Sequence, residues 1–176
     1  IVDQPSDGLK LIKCEEKLGI HCTSTAEFVY DNCLVPDANR LGDRGHGLRV
    51  ALTTLDGGRI GVAAQALGIA EACLDASIDY ATTREQFRRP IGAFQAIETK
   101  ITNMKVDIEA ARVLIYRAAW LKDRGKPYEY EAAQAKLFAS EACSRAASDA
   151  VQIFGGYGYC SDYPVERLYR DAKITE

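Results

Sequence analysis

FQAIETKITNMKVDIEAARVLIYRA, residues 94–118, is the stretch that decides the fold. Phe94, Ile97, Ile101, Met104, Ile108, Ala111, Ile115 and Ala118 recur at alternating steps of three and four. The result is one continuous apolar stripe with charged residues between, the pattern of a helix in a bundle. Gly125 and Pro127 end it.

The helical pattern continues on both sides. Upstream, from Gly45 onward, Leu48, Leu52, Leu55, Ala63, Leu67, Ala70, Leu74 and Ile78 recur at helical spacing and predict a first long helix. Downstream, a third helix is expected from about Tyr128 to Phe154. Its inner face is mostly alanine (Ala135, Ala139, Ala142, Ala146, Ala150), and small side chains let a neighbouring helix come close. Gly155 and Gly156 stop it. Pro164 opens a short last helix, with Asp162 placed where a cap could sit. The expected fold class is mainly α: three long helices and a short one, joined by short loops as an antiparallel four-helix bundle.

Residues 1 to about 40 read as β-structure. Leu9 to Ile12 and Phe28 to Val35 are short apolar, β-branched runs, and Pro36, Asp37, Ala38 and Asn39 end the second. Two or three strands do not stand alone as a sheet. The expected division is therefore residues 1–42 as the end of a larger β-domain and residues 43–176 as the helical bundle.

Composition excludes several function classes. Hydrophobic residues make up 47% and charged residues 27%, the profile of a globular domain, and the net charge of −3 offers no basic face for nucleic acid. No apolar stretch reads as long enough to span a bilayer, and no signal peptide is visible. The six cysteines form no C-x-x-C pair and the two histidines, His21 and His46, lie far apart, so no metal site is expected. The cysteines read as small buried hydrophobes in a reducing compartment.

The joints between helices carry the chemistry. Arg84 to Pro90, followed by Phe94 and Gln95, is either a polar helix end broken by proline or an anion site, since arginine binds phosphate through paired, charge-assisted hydrogen bonds. Gln152 to Gly158 is either a glycine helix stop or a place where backbone comes close to a cofactor. Asp56, Gly57, Gly58 and Arg59 put two glycines inside a helix, each costing roughly 1 kcal/mol relative to alanine. Tight helix packing and ligand contact both account for them. Tyr163 to Ile174 reads as a charged amphipathic helix with Glu166 and Arg170 one turn apart.

In this order and at these separations, the four joints resemble the acyl-CoA dehydrogenase family, most closely its short-chain, butyryl-CoA-type members, over essentially the whole chain. Lys17 to Ile20 and Val35-Pro36 look like the closing strands of the family's middle β-domain. The resemblance implies FAD bound between domains and across a subunit interface. Arg84 and Gln95 would contact the FAD of a neighbouring subunit; Gln152, Ile153, Phe154, Gly155 and Gly156 would line another part of that site. Asp56, Gly57, Gly58 and Arg59 would border the acyl-CoA channel. The implied reaction is α,β-dehydrogenation to a trans-2-enoyl-CoA by a Glu base and hydride transfer to flavin. Electrons would pass to an electron-transfer flavoprotein. A homo-oligomer built as a dimer of dimers is implied, in a mitochondrial matrix or bacterial cytoplasm.

Three departures qualify the resemblance. The family's catalytic Glu follows the motif seen here as Arg170 to Glu176, so the base is expected beyond Glu176 and Glu176 itself is not it. A minority of the family, isovaleryl-CoA dehydrogenases among them, carry the base just before the motif arginine of the first helix, where this chain has Gly58. Arg88 stands where a small glycine is usual, a strained choice if that turn needs positive φ. On this reading the 176 residues alone neither hold FAD tightly nor turn over substrate. The alternatives are a flavin oxidase or monooxygenase of the same fold, or a non-catalytic helical oligomerisation module.

Overall fold

The computed structural model describes all 176 residues, Ile1–Glu176, as two compact units, Ile1–Leu55 and Asp56–Glu176. In the first unit, β1 (Leu9–Cys14) pairs antiparallel with β2 (Ala26–Tyr30), with Leu9 opposite Tyr30 and a bulge between Leu11 and Lys13. β2 ends at Tyr30 rather than running on to Val35, because the chain turns at Asn32, whose φ is 50°. A short 3-10 turn, Asp37–Asn39, follows. Between the strands, the Lys17 ammonium donates to the carbonyls of Ile20 and Thr23 and so closes the connecting loop.

The helices are α1 (Gly47–Thr83), α2 (Gln95–Asp123), α3 (Glu129–Phe154) and α4 (Pro164–Ala172). A two-residue hairpin, β3 (Glu85–Gln86) with β4 (Arg89–Pro90), links α1 to α2. Cross-helix ion pairs give the direction of each helix. Lys100 meets Asp149, Asp107 meets Arg145 at 2.9 Å and Arg117 meets Glu131 at 3.2 Å, so numbers rise along α2 as they fall along α3. Glu71 with Arg112, and Gly57 beside Lys122, show the same for α1 and α2. The second unit is thus an antiparallel bundle of three long helices closed by the short α4.

The stripe quoted first is its central seam. Met104, Ile108, Ala111, Ile115 and Ala118 of α2 are buried, and Ile97 and Ile101 pack against them half-buried. Each fully buried isoleucine contributes roughly 1.5–3 kcal/mol. All five expected alanines of α3 are buried, with Ala132 and Ala147 beside them. The buried hydroxyls of Ser77, Ser140 and Thr175 each donate to a carbonyl of their own helix or turn, so the core holds no orphaned side-chain polar atom.

Several sequence expectations fail. Leu48, Leu52 and Leu55 keep their helical spacing but are exposed, at 74%, 53% and 59%; the buried face of α1 begins at Ala63. Periodicity identifies a face but not what covers it. α1 also contains an 18-residue window of mean hydropathy 1.2, so by length and composition one helix is long and apolar enough to cross a bilayer, contrary to the sequence reading. Tyr163, not Asp162, occupies the N-cap of α4, and no side chain bonds there. Only Cys73 and Cys143 are buried cysteines; Cys14, Cys22 and Cys160 are exposed and all six are free thiols.

Candidate functional site

At its C-terminal end α3 stops at Gly155, whose φ of 61° reverses the backbone, a conformation glycine adopts without strain. A five-residue 3-10 segment, Gly155–Tyr159, follows. It folds back so tightly that a Cβ on Gly158 would stand 2.3 Å from the Val151 carbonyl oxygen. Gly155 and Gly156 differ: a Cβ on either would meet nothing within 4 Å. Their freedom from side chains therefore leaves open surface rather than filling a packing need.

Opposite this turn, the last residues of α1 and the β3–β4 hairpin form the other wall. The Ile91 amide donates to the Arg84 carbonyl at 2.8 Å, which folds the hairpin back onto the helix end. The hairpin turn has positive φ at both Phe87 (54°) and Arg88 (65°), so the turn does require the conformation that makes a non-glycine residue costly. Between the two walls lies a cleft of about 500 Å³, within the range of small-molecule sites.

Of the expected cofactor residues, Arg84, Ile153, Phe154, Gly155 and Gly156 all line this cleft, although Arg84 and Gly156 are 72 positions apart. Gln95, the first residue of α2, and Gln152, on the last turn of α3, are exposed and lie off its lining. The structure adds Tyr80, Gln86, Ile91, Tyr157 and Cys160. Tyr80 was legible in principle, since it sits one helical turn before Arg84. Its ring stacks on Phe154 with centroids 4.0 Å apart. Burial pushes the Tyr80 phenol up, against the pull of the Arg84 guanidinium, so it stays a protonated donor at neutral pH.

Asp56, Gly57, Gly58 and Arg59 form a separate patch. Arg59 pairs with Asp56 at 2.8 Å. A Cβ on Gly57 would meet only the far end of Lys122, 3.0 Å away, and the Tyr128 hydroxyl; one on Gly58 would meet nothing. No helix of this chain packs on Gly58, so tight packing within the chain does not account for it. Neither position 58 nor position 176 supplies a placed base. Position 58 has no side chain, and the Glu176 carboxylate accepts from Ser144 and Lys173, the lysine above all holding its pKa below the ordinary range.

The description "Acyl-CoA dehydrogenase, C-terminal domain" matches residues 45–176. The short-chain specific acyl-CoA dehydrogenase of rat mitochondria is 49% identical over all 176 residues, which cover 43% of it. The structure of butyryl-CoA dehydrogenase from Megasphaera elsdenii superposes with a TM-score of 0.97 at 51% identity, over 99% of this chain and 45% of that one. A chain in the structure reported as the electron transferring flavoprotein of Acidaminococcus fermentans does so with a TM-score of 0.97 at 53% identity, over 99% of this chain and 46% of that one. The chain therefore spans somewhat under half the length of these relatives. On the residues matched and the fold they share, the chain belongs to the acyl-CoA dehydrogenase family and carries that family's C-terminal helical domain.

Proposed function

We propose that the protein carrying this chain is an FAD-dependent acyl-CoA dehydrogenase that converts a short-chain acyl-CoA to its trans-2-enoyl-CoA. The observation that carries this reading is the cleft, where an arginine free of carboxylate partners faces two glycines that leave open surface. That donor set suits the diphosphate of a dinucleotide. Arg84, Ile153, Phe154, Gly155 and Gly156 would hold FAD, with Gln95 and Gln152 at its margin. FAD bound there would supply the two-electron acceptor for the hydride leaving the substrate β-carbon.

Asp56, Gly57, Gly58 and Arg59 would border the acyl-CoA. The Asp56–Arg59 ion pair keeps both side chains against the helix and leaves the glycine surface clear. The base that takes the α-proton is proposed to come from outside residues 1–176, since Gly58 has no side chain and Glu176 is committed to Ser144 and Lys173. Residues 1–42 are read as the last strands of a middle β-domain and residues 43–176 as the helical domain. The names of the rat and Megasphaera relatives support a short-chain substrate. The Acidaminococcus structure supports an electron-transfer flavoprotein as acceptor. A dimer of dimers, in a mitochondrial matrix or bacterial cytoplasm, completes the proposal.

Anaerobic titration of the full-length protein with butyryl-CoA, followed by flavin absorbance, tests it. Bleaching at about one equivalent is the expected result. A bound flavin that stays oxidised with every short acyl-CoA would move the assignment to an oxygen-using flavoenzyme of the same fold.

A further inference from the structure

Arg84, like Arg89 and Arg124, lies over an aromatic ring, whereas five other arginines of its unit are held by carboxylates. Arg59, Arg112, Arg117, Arg145 and Arg170 each pair with a carboxylate. Arg84 has no ion pair; its guanidinium lies over the face of Tyr157, 5.5 Å from the ring centroid. That ring rests against Tyr163 at 5.3 Å, and Tyr163 makes edge contacts with Phe154 at 5.6 Å and Tyr80 at 6.2 Å. An aromatic cluster anchored in the bundle therefore ends in a π-face beneath the one arginine of the cleft.

The difference has a chemical consequence. A carboxylate would orient a guanidinium but would also cancel its charge and occupy two of its N–H donors. A ring face attracts the cation through its quadrupole and takes up no donor. Arg84 thus keeps its full charge and its in-plane donors for an anion arriving in the cleft.

We propose that Tyr157 is a positioning residue whose ring presets Arg84 for the phosphate oxygens of the dinucleotide. The inference rests on the reading of the cleft as the FAD site. It concerns the ring and not the hydroxyl, so Tyr157→Phe retains the function. Tyr157→Leu and Tyr157→Met keep apolar bulk and lose the quadrupole.

The test is a double-mutant cycle in the full-length protein, reading the FAD dissociation constant of the apoprotein by fluorescence quenching, with circular dichroism confirming that each variant is folded. Tyr157→Leu and Tyr157→Met are expected to weaken FAD about three- to tenfold, and Tyr157→Phe less than about twofold. In an Arg84→Ala background, Tyr157→Leu is expected to change affinity by less than about twofold, because the residue acts through Arg84. Equal weakening by Tyr157→Leu in both backgrounds, or none in either, overturns the positioning role. An Arg84→Ala protein that binds FAD as tightly as the parent overturns the assignment of the cleft itself, and the positioning role with it.

Discussion

Arg88 and Gly158 are single residues at which backbone geometry, not side-chain contact, sets the cost of substitution. Arg88 sits in the left-handed region at φ 65°, where an L side chain is disfavoured by roughly 1–2 kcal/mol. Arg88→Gly is expected to stabilise the protein by about 1 kcal/mol, part of the relief being returned as extra freedom of the unfolded chain. A shift of the urea midpoint at unchanged slope would show it; no shift would mean that the turn relaxes around arginine. Gly158 is the opposite case. Its φ is not positive, but a Cβ would meet backbone at 2.3 Å. Gly158→Ala is expected to cost about 1–3 kcal/mol and to weaken cofactor binding, since the segment that must move carries Tyr157. Both residues were visible in the sequence as an odd arginine and a repeated glycine. For Arg88 the sequence posed the strain as a condition and the structure supplied the positive φ; the close approach at Gly158 was not legible, because it belongs to the folded backbone.

Among the long helices, α2 and α3 were the most legible and α1 the least. The steps of α2 and the alanines of α3 specify two faces made for one another, and the structure buries both. Close packing of that kind has little slack. Ala147→Leu, at a position with no exposed surface, is expected to destabilise the bundle by about 1–3 kcal/mol in urea unfolding. An unchanged midpoint would mean the interface has room that the structure does not show. On α1 apolar residues recur at helical spacing from Leu48 to Ile78, interrupted at Arg59, yet the first three leucines are exposed and Ile78 is 39% exposed. A helix repeats every 3.6 residues whether or not a partner covers the stripe. The segment between α1 and α2 was read as a helix end broken by proline or as an anion site, not as a hairpin. Its strands are too short for any period to register, though the Pro90 that marks them was seen.

At the scale of the whole molecule, the buried thiols link stability to pH. Burial above all pushes Cys73 up to about 12 and Cys143 up to about 11, from an ordinary 9.0. The folded state therefore holds protons that the unfolded state releases, and stability is full below about 9 and falls as pH rises through 11 to 12. Urea midpoints taken upward from pH 8 should drop for the parent and drop less for Cys73→Ala, once its lower starting stability is allowed for. Parallel curves would remove Cys73 from the account. The same burial predicts that neither thiol reacts with a water-soluble disulfide reagent until the protein unfolds. The sequence by itself determined the family, the mainly helical class, the course of α2, α3 and α4, and half of the ten residues that turned out to line the cleft. Those are local quantities: a period, a helix stop, a motif with its spacing. Only the tertiary structure decided that Arg84 and Gly155-Gly156 share one cleft while Gln95 and Gln152 stand off its lining. It alone showed that Gly58 faces open space, that four of six cysteines escape burial, and that an aromatic cluster lies beneath the one unpaired cation of the cleft. Each of these depends on which distant segment comes to lie opposite a residue, and nothing in the local pattern of a chain states what will face it.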